Sequence, residues 1–329
     1  MEQVTEKKLA LFAGRNSIEL ANAVATALDV ELGEVNVAEF ANGEIHCRYA
    51  KSIRGTDVFI INTHAGWDEG SMNDALIEHL VMVDAANRAS AQRITVVAPF
   101  YGYARQDRKS AGREPITAKL VANMFAAAGA DRLVSVDLHS GQIQGFFDGP
   151  VDHLTAMPVL VDFLKTLPGI DDDLVVVSPD AGRVKVAERY ANQLGASLAI
   201  VHKRRVAGQK NSVVAKDVVG DVEGKVCVLI DDMIDTGGTI VAAAEQLAER
   251  GARMVIAATT HPVLSGPAVD RLKDSVIEYV VVTDTLPIGP EKQFDKLVVV
   301  SVADIIAKAI EAVFRDTTVS EIFDGKNLA

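Results

Sequence analysis

Short runs of apolar, mostly β-branched residues alternate along the chain with longer segments of helical periodicity. The apolar runs are Leu9–Ala13, Asp57–Ile61, Arg93–Ala98, Arg132–Val136, Leu174–Val177, Ser197–Val201, Val226–Ile230, Met254–Thr259, Ile277–Val282 and Leu297–Val300. Strands that are apolar throughout are buried on both faces, as in a parallel sheet covered by helices. The pattern therefore predicts an α/β fold of mostly parallel sheets flanked by helices.

Two parts of the chain have the same order of elements. Residues 93–137 and residues 225–260 each consist of an apolar run, a polar loop, an alanine-rich helical segment, a glycine and a second apolar run. An ancestral duplication would explain this similarity, although any two α/β units share such an order. We predict two similar domains over residues 1–150 and 151–329, with the terminal helices packing back on the first domain.

The composition narrows the classes of partner. With 329 residues, of which 49% are hydrophobic and 24% charged, the chain is long enough to bury two cores. The formal net charge of −12 argues against a general binder of nucleic acid or anionic membranes, since both require a basic face. Two isolated cysteines, Cys47 and Cys227, do not make a disulfide framework. The sequence shows neither a signal peptide nor a membrane-spanning run, so we expect a cytoplasmic protein.

The segment from Val228 to Thr239 combines an apolar run, two adjacent acids and a Gly-Gly-Thr turn before a helical segment. The backbone N–H groups of such a turn converge on one point, which is the arrangement that holds a phosphate. Asp231 and Asp232 are expected where the strand leaves the sheet, and paired carboxylates there suit two ribose hydroxyls or a bridging magnesium ion. A purely structural tight turn is the alternative. The combination favours a sugar-phosphate site.

Two further polar residues follow predicted strands. His139 comes shortly after the run that ends at Val136, and Asp180 comes shortly after the run that ends at Val177. The carboxyl ends of strands are where α/β proteins bind ligands. One imidazole and one carboxylate would suit a magnesium ion whose other ligands are waters and phosphate oxygens. A structural role is the alternative for each residue.

Cations are concentrated in two segments of this acidic chain. Residues 101–114 contain aromatic side chains followed by Arg105, Gln106 and three further cations, a mixture that suits a nucleoside polyphosphate. Residues 202–210 include Lys203 and Arg205 and are interpreted as a mobile flap that closes on a polyphosphate. A solvated loop is the alternative in both cases.

A turn at Phe40–Glu44 has an aromatic residue at its start. Phe40 could stack on a purine, while Asn42 and Glu44 could bind the edge of the base and Gly43 allows the turn. Taken alone, this segment is typical of an ordinary turn.

Together these motifs resemble those of the ribose-phosphate diphosphokinases, also called phosphoribosyl diphosphate synthetases, of the bacterial phosphate-activated class. The resemblance extends from about residue 8 to residue 322, and phosphoribosyltransferases share only the motif at 231–239. It implies two duplicated, phosphoribosyltransferase-like domains, the first on the ATP side and the second on the ribose 5-phosphate side. It also implies transfer of the diphosphoryl group of Mg-ATP to the anomeric hydroxyl of ribose 5-phosphate, giving 5-phosphoribosyl 1-diphosphate and AMP.

The resemblance implies roles for individual residues. ATP would be bound by Phe40, Asn42, Gly43, Glu44, Arg105 and Gln106. Ribose 5-phosphate would be bound by Arg205, Asp231, Asp232, Asp235, Thr236, Gly237, Gly238 and Thr239. Mg²⁺ would be held by His139 and Asp180, and the catalytic cations would be Lys203 and Arg205.

The resemblance further implies a homohexamer built from dimers, activated by phosphate and inhibited by ADP. The effector phosphate would be bound by Ser52, Arg54, Arg88, Thr318 and Ser320. Two positions depart from the family pattern, since Asn42 stands where many relatives have an aspartate and His202 stands where an acid is frequent. The alternatives are a phosphoribosyltransferase and a non-catalytic, synthetase-associated regulatory protein. The second alternative predicts loss of flap cations or of the acid pair, and both are present.

Overall fold

The computed structural model of the protein describes residues 7–67, 70–170, 173–204 and 215–323. The chain divides into two compact units. The first unit comprises Met1–Thr155, Thr285–Pro287 and Val302–Ala329, and the second comprises Ala156–Asp284 and Ile288–Ser301. The predicted domain bounds of 1–150 and 151–329 stay a prediction.

The first unit is built on a five-stranded parallel sheet. Its strands and first helices are β1 (Leu9–Ala13), α1 (Ile18–Ala27), β2 (Val35–Glu39), β3 (Ile45–Tyr49), β4 (Asp57–Ile61), α2 (Met72–Arg88), β5 (Arg93–Ala98), α3 (Thr117–Ala128), β6 (Arg132–Val136) and β7 (Val151–Leu154). The order in the sheet is β1-β4-β5-β6-β7, while β2 and β3 form a separate antiparallel hairpin. The loops after β4, β5 and β6 therefore follow neighbouring strands at one edge of the sheet.

The second unit is built on a seven-stranded sheet. Its elements are α4 (Met157–Leu164), β8 (Leu174–Ser178), α5 (Val184–Leu194), β9 (Ser197–Arg204), β10 (Ala215–Val219), β11 (Val226–Ile234), α6 (Gly238–Glu249), β12 (Met254–Pro262), α7 (Ala268–Lys273), β13 (Tyr279–Thr283) and β14 (Leu297–Val300). The order is β10-β9-β8-β11-β12-β13-β14, and all pairs are parallel except β9 with β10. In the described ranges, every helix is too short or too polar to cross a membrane.

The α/β class is confirmed, because both sheets are mostly parallel and flanked by helices. Strands β1, β4, β5, β6 and β14 coincide with apolar runs of the sequence. The sequence pattern did not predict β2, β3, β7 and β10. The hairpin β2–β3 alternates between half-buried and exposed residues, and β7 and β10 lie at sheet edges, so none of them is a continuous apolar run.

Strand β11 is longer than its apolar run. It continues through Asp231 and Asp232 to Ile234 and stays paired with β12 over that length, whereas its pairing with β8 ends at Leu229. We expected Asp231 and Asp232 to lie where the strand leaves the sheet. This is wrong with respect to β12, because β11 is still paired with β12 at these residues. The acids extend past the end of β8 only, because β8 is the shorter neighbour.

A last helix, α8 (Ala303–Phe314), belongs to the first unit and packs against α1. Arg93 of β5 anchors the end of this helix. Its guanidinium lies 2.5 Å from the Asp57 carboxylate and 3.0 Å from the Asp316 carboxylate, and it donates to the carbonyl of Val313 at 3.0 Å. Asp57 is buried, so this cation neutralises a carboxylate that water reaches poorly.

Replacing Arg93 by methionine is expected to lower the free energy of unfolding by about 2–3 kcal/mol, because it leaves the buried Asp57 carboxylate without this countercharge. Urea denaturation would measure the loss. The matched control is Arg315→Met, which removes an exposed ion pair with Glu311 and should change the same quantity by less than about 0.5 kcal/mol. Equal losses in the two variants would argue against an anchoring role for Arg93.

Candidate active site

Two loops of the second unit flank the point where the strand order of its sheet reverses. Strand β8 leads into residues 179–183, and its neighbour β11 leads into residues 235–237. From β8 the chain adds β9 on one side, and β11 then lies on the other side. Parallel α/β sheets bind ligands at such a point, beyond the carboxyl ends of the strands.

Asp231 and Asp232 form the charged centre of this edge together with Arg183. The Nη2 atom of Arg183 lies 2.5 Å from Oδ2 of Asp232, and its Nε atom lies 3.4 Å from Oδ1 of Asp231. Burial raises the pKa of Asp231 above its ordinary value, and the Asp232 carboxylate raises it further, although Arg183 opposes the shift. Two close carboxylates beside one guanidinium leave a site that still favours a cation or hydroxyl donors.

Arg183 is absent from the site residues predicted from the sequence. It stands three residues after Asp180 in the same strand-end segment, so the motif contained it. What the sequence did not show is that its side chain reaches across to β11. The contact joins the loop after β8 to the neighbouring strand β11, and the two residues are almost fifty positions apart in the chain.

The end of β11 and the turn after it are hydrogen-bonded to residues 264–265 and to α7. The N–H of Leu264 donates to Ile234 at 2.9 Å, the N–H of Ser265 donates to Asp235 at 2.8 Å, and Arg271 donates to the Thr236 carbonyl at 2.9 Å. All three hydrogen bonds are accepted by backbone carbonyl groups at the end of β11 and in the turn.

Gly237 gives this turn its shape and begins α6. Its φ of 73° lies in the left-handed region, and a Cβ there would approach the Cα and carbonyl oxygen of Ala268 to 3.5 Å. Among the described residues, no side chain caps the N-terminus of α6, which starts at Gly238. Uncapped N–H groups at the start of a twelve-residue helix bind anions well. The exposed Thr236 and Thr239 border this position.

The two residues predicted to bind magnesium lie in different units. Asp180 is exposed and fixed by its own turn, because its Oδ1 atom accepts from the N–H of Gly182 at 2.8 Å. His139 is half-buried in the loop after β6, next to Leu138, whose N–H donates to Nε2 of His153 at 2.8 Å. Each residue thus stands at the carboxyl edge of its own sheet.

Across the described part of the chain, no group of three or more His, Cys, Asp and Glu side chains is arranged to hold a metal ion. Mg²⁺ keeps several waters and is commonly bound through one or two carboxylates together with substrate phosphates. The donor chemistry of the Asp231–Asp232 pair fits such an ion, because burial and the neighbouring carboxylate together raise the pKa of Asp231. His139 and Asp180 stay a prediction for the second position.

The loop after β5 carries Arg105 and Gln106, and both side chains are exposed. Gln106 connects this loop to the start of α3, since its side-chain oxygen accepts from Thr117 at 2.5 Å and its backbone carbonyl accepts from the N–H of Ala118 at 3.2 Å. The buried Tyr101 donates to the Ala118 carbonyl at 3.0 Å. The loop is therefore hydrogen-bonded to α3, while the side chains of Arg105 and Gln106 are exposed.

The predicted adenine-binding turn is the tip of the β2–β3 hairpin. The N–H of Phe40 donates to the Glu44 carbonyl at 2.8 Å, and the N–H of Gly43, whose φ is 89°, donates to the Phe40 carbonyl at 2.8 Å. The Phe40 side chain is 57% exposed, which is unusual for a phenylalanine and suits a surface that receives a flat ligand. Asn42 is exposed, and its side chain accepts from the Glu44 N–H at 3.3 Å.

The predicted flap begins at the end of β9. Lys203 lies in this strand with its backbone opposite Lys216 of β10, and the exposed His202 is opposite Asp217. The Lys203 side chain and the whole of Arg205 lie outside the described residues, as does the loop 205–214. The flap and its catalytic cations therefore stay a prediction.

The predicted effector-phosphate residues all belong to the first unit and are all exposed. They are Ser52, Arg54, Arg88, Thr318 and Ser320. The N–H of Gly55 donates to the Ser90 carbonyl at 2.8 Å, which joins the loop of Ser52 and Arg54 to the end of α2. Arg88 pairs with Asp84 within that helix at 2.7 Å, and the pair after α8 is linked by the Ser320 N–H, which donates to Thr318 at 3.2 Å.

Comparison with known proteins assigns the chain to a family. Residues 9–129 match the family model described as the N-terminal domain of ribose phosphate pyrophosphokinase, and residues 206–324 match the one described as the phosphoribosyl synthetase-associated domain. A ribose-phosphate pyrophosphokinase of Streptomyces coelicolor is 54% identical over 320 residues, which cover 97% of each chain. The chain belongs to the ribose-phosphate pyrophosphokinase family. The resemblance noted in the sequence is thereby confirmed.

Other members of the family agree over nearly the whole chain. A ribose-phosphate pyrophosphokinase of Bifidobacterium longum is 52% identical over 326 residues, covering 98% of this chain and 95% of that protein. The crystal structure of phosphoribosylpyrophosphate synthetase from Mycobacterium smegmatis superposes with a TM-score of 0.88 at 51% identity, covering 94% of this chain and all of that one. This pyrophosphokinase is accordingly an enzyme, a kinase-type transferase of nucleotide biosynthesis.

Replacing Asp231 by asparagine is expected to raise the free energy of unfolding of the ligand-free pyrophosphokinase by about 1–2 kcal/mol at neutral pH. Because the folded-state pKa of Asp231 is raised, the wild type loses stability as the pH rises above the ordinary value of 3.8. Asparagine does not titrate, so the advantage of the variant should grow with pH. Urea denaturation at acidic and neutral pH measures this difference.

The control for this prediction is Asp221→Asn. Lys225 lowers the pKa of the exposed Asp221 carboxyl, so its removal should act in the opposite direction and weakly. Wild type and Asp231→Asn enzyme of equal stability at every pH would show that the acid pair carries no stored repulsion.

Proposed function

We propose that the enzyme transfers the β,γ-diphosphoryl group of Mg-ATP to the anomeric hydroxyl of ribose 5-phosphate, giving 5-phosphoribosyl 1-diphosphate and AMP. The observation that carries this proposal is the cluster of Asp231, Asp232 and Arg183 beside the uncapped start of α6, at the reversal point of the sheet. Carboxylates suit the ribose hydroxyls, and the helix start suits the 5-phosphate at the other end of the same sugar. One substrate thus satisfies both halves of the site.

In the proposed mechanism the protein mainly positions the two reactants. The anomeric hydroxyl oxygen of the sugar attacks the β-phosphorus of ATP and its proton is released to solvent. The bond from that phosphorus to the bridging oxygen of the α-phosphate breaks, and AMP leaves with the electron pair. Asp231 and Asp232 hold the ribose hydroxyls, and residues 235–239 fix the 5-phosphate. Such transfers ask a protein for in-line geometry and charge stabilisation, with little covalent chemistry of its own.

The donor side of the reaction is assigned to the first unit. We propose that Phe40, Asn42, Gly43 and Glu44 bind adenine and that Arg105 and Gln106 bind the nucleotide. The exposed ring of Phe40 and the ordered, solvent-facing loop of Arg105 support this assignment. His139 and Asp180 would hold the Mg²⁺ that accompanies ATP, and the ion would neutralise charge on the phosphates. Lys203 and Arg205 of the flap neutralise charge on the transferred group.

The remaining features follow from the family. We propose a homohexamer that is activated by inorganic phosphate, inhibited by ADP and located in the cytoplasm. The exposed arginines and hydroxyls at Ser52, Arg54, Arg88, Thr318 and Ser320 provide chemistry suited to an effector phosphate.

Incubation with ribose 5-phosphate and Mg-ATP tests the proposed reaction. The expected products are AMP and 5-phosphoribosyl 1-diphosphate in equal amounts, quantified by chromatography and phosphorus NMR. Formation of ADP in place of AMP would indicate transfer of a single phosphoryl group and would overturn the proposal. A phosphoribosyltransferase would consume 5-phosphoribosyl 1-diphosphate in the presence of a base and would release no AMP from ATP.

A further inference from the structure

Two histidines, His64 and His79, lie completely buried and in contact in the core of the first unit. His64 follows β4 and His79 lies on α2. Their Nε2 and Nδ1 atoms are 3.2 Å apart, and Phe125 of α3 packs against both rings, stacked on His64 at 5.6 Å and edge-on to His79 at 5.1 Å between ring centroids. Neither residue belongs to the motifs that the proposed reaction uses.

The hydrogen bonds around the two rings fix the position of every ring proton. The backbone N–H of Gly102 can only donate, so Nδ1 of His64, at 3.0 Å, is the acceptor. His64 must then carry its proton on Nε2 and donate it to Nδ1 of His79. His79 in turn carries its proton on Nε2 and donates to the Ile60 carbonyl at 3.2 Å. The result is one continuous chain of hydrogen bonds that runs from the Gly102 N–H through both imidazole rings to the Ile60 carbonyl of β4.

This chain requires both rings to be neutral. Burial lowers the pKa of His79 to about 3, and burial together with the neighbouring His79 lowers the pKa of His64 well below its ordinary value. An additional proton on either ring would remove an acceptor that the chain uses. Burying two polar rings costs free energy unless each ring nitrogen is hydrogen-bonded. Loss of one hydrogen bond would therefore leave a buried nitrogen without a partner and weaken the others.

At the Gly102 end, the hydrogen-bonded chain meets a strained backbone turn. Gly102 approaches His64 so closely that a Cβ would lie 2.9 Å from the His64 Cβ atom, and the next residue, Tyr103, has a φ of 62°. A non-glycine residue in this conformation persists when the contacts on both sides hold it. Here those contacts are the Gly102 N–H bonded to His64 and the Tyr103 hydroxyl, which donates to Asn73 at 2.6 Å. Arg105 follows two positions after Tyr103 in the same turn.

We propose that His64 and His79 are positioning residues, a neutral hydrogen-bonded pair that holds the Gly102–Gln106 turn so that Arg105 and Gln106 face the nucleotide. The inference rests on the proposed function, in which this turn binds ATP. A purely apolar pair of the same size would fill the core equally well but would leave the Gly102 N–H without its acceptor. The polar pair therefore has a role that packing alone does not require.

Two substitutions at one position separate positioning from packing. In His64→Asn the side-chain oxygen takes the place of Nδ1 and still accepts from Gly102, although the ring contacts are lost. In His64→Leu the bulk is retained and the acceptor is lost. We expect the KM for ATP to rise about tenfold or more in the leucine variant and by less than about threefold in the asparagine variant, with the KM for ribose 5-phosphate unchanged in both.

A packing role predicts the opposite order, because asparagine removes more apolar contact than leucine. If His64→Asn has the larger KM for ATP, or if both variants keep the wild-type KM, the proposal is wrong. Phe125→Leu serves as the packing control, since it changes the surface against both rings and removes none of these hydrogen bonds. It should lower the thermal midpoint while leaving the KM for ATP within about twofold of wild type.

Hydrogen exchange supplies a measurement that does not depend on the reaction. Amide exchange of the peptide covering residues 100–106 should be at least about tenfold faster in His64→Leu than in wild type and close to wild type in His64→Asn. Unchanged exchange in His64→Leu would overturn the proposal even in an active enzyme. If instead the wild type releases no AMP but the exchange pattern is found, the proposed function fails and the positioning of this turn stands.

Discussion

Arg183→Leu is expected to lower the free energy of unfolding of the ligand-free enzyme by about 3–5 kcal/mol, because it removes the guanidinium between two poorly solvated carboxylates. The side chains of Asp232 and Asp231 are only 6% and 19% exposed, so water replaces the lost charge incompletely. Arg183 opposes the rise in the pKa of Asp231, so its removal is expected to raise that pKa still further. Urea denaturation at pH 7 and pH 5 would measure both the loss and its reduction in acid.

The matched control for this substitution is Arg250→Leu, in the same unit. Arg250 also pairs with an aspartate, Asp217, but both side chains are about half exposed, so the expected loss is below about 1 kcal/mol. Addition of Mg²⁺ to the same variants provides a second test. If the acid pair binds a cation, Mg²⁺ should raise the thermal midpoint of Arg183→Leu more than that of wild type. Comparable losses in the two leucine variants would contradict the role given to Arg183.

Lys203→Ala is expected to reduce kcat about 10²–10³-fold while changing the KM of either substrate far less. In the proposed mechanism, a cation of the predicted flap would stabilise negative charge that develops during transfer, and this charge is smaller in the ground state. Steady-state kinetics with each substrate varied in turn would separate the two effects. Turnover close to that of wild type would remove Lys203 from the mechanism.

The control for Lys203 is Lys216→Ala, which makes the same change in net charge at the strand position paired with Lys203. A general effect of lost positive charge would slow both variants alike. A specific role predicts a much smaller loss for Lys216→Ala. Measuring both variants at low and high salt strengthens the comparison, since a general field is screened and a short contact is screened less.

The sequence predicted the parts of this enzyme that depend on local pattern. Continuous apolar runs located the central strands, because strands buried on both faces have no polar positions. The Gly-Gly turn at 237–238 was also predicted from the sequence. Its glycine is required because Gly237 adopts a φ that other residues avoid. The hairpin that carries Phe40 was missed as a pair of strands, because its half-exposed residues resemble a loop with scattered apolar positions.

What the sequence could not predict are the contacts that join distant segments. The ion pairs of Arg183 depend on β8 and β11 being neighbours, a consequence of sheet order that no local pattern encodes. The pairing of His64 with His79 depends on how α2 lies against β4. Isolated histidines in an apolar surrounding are unremarkable in a sequence, and only their hydrogen bonds distinguish this pair.

The return of α8 to the first unit has a consequence for the order of events during translation. Ile306 and Ile310 of this helix are completely buried, and α8 packs on α1, which lies almost three hundred residues earlier in the chain. The ribosome therefore exposes the α1 surface long before its cover is made, whereas all of residues 156–301 emerge before α8. In proteolysis experiments on ribosome-bound nascent chains, the second unit should become resistant to protease before the first. Domains usually fold in the opposite order, starting from the N-terminus.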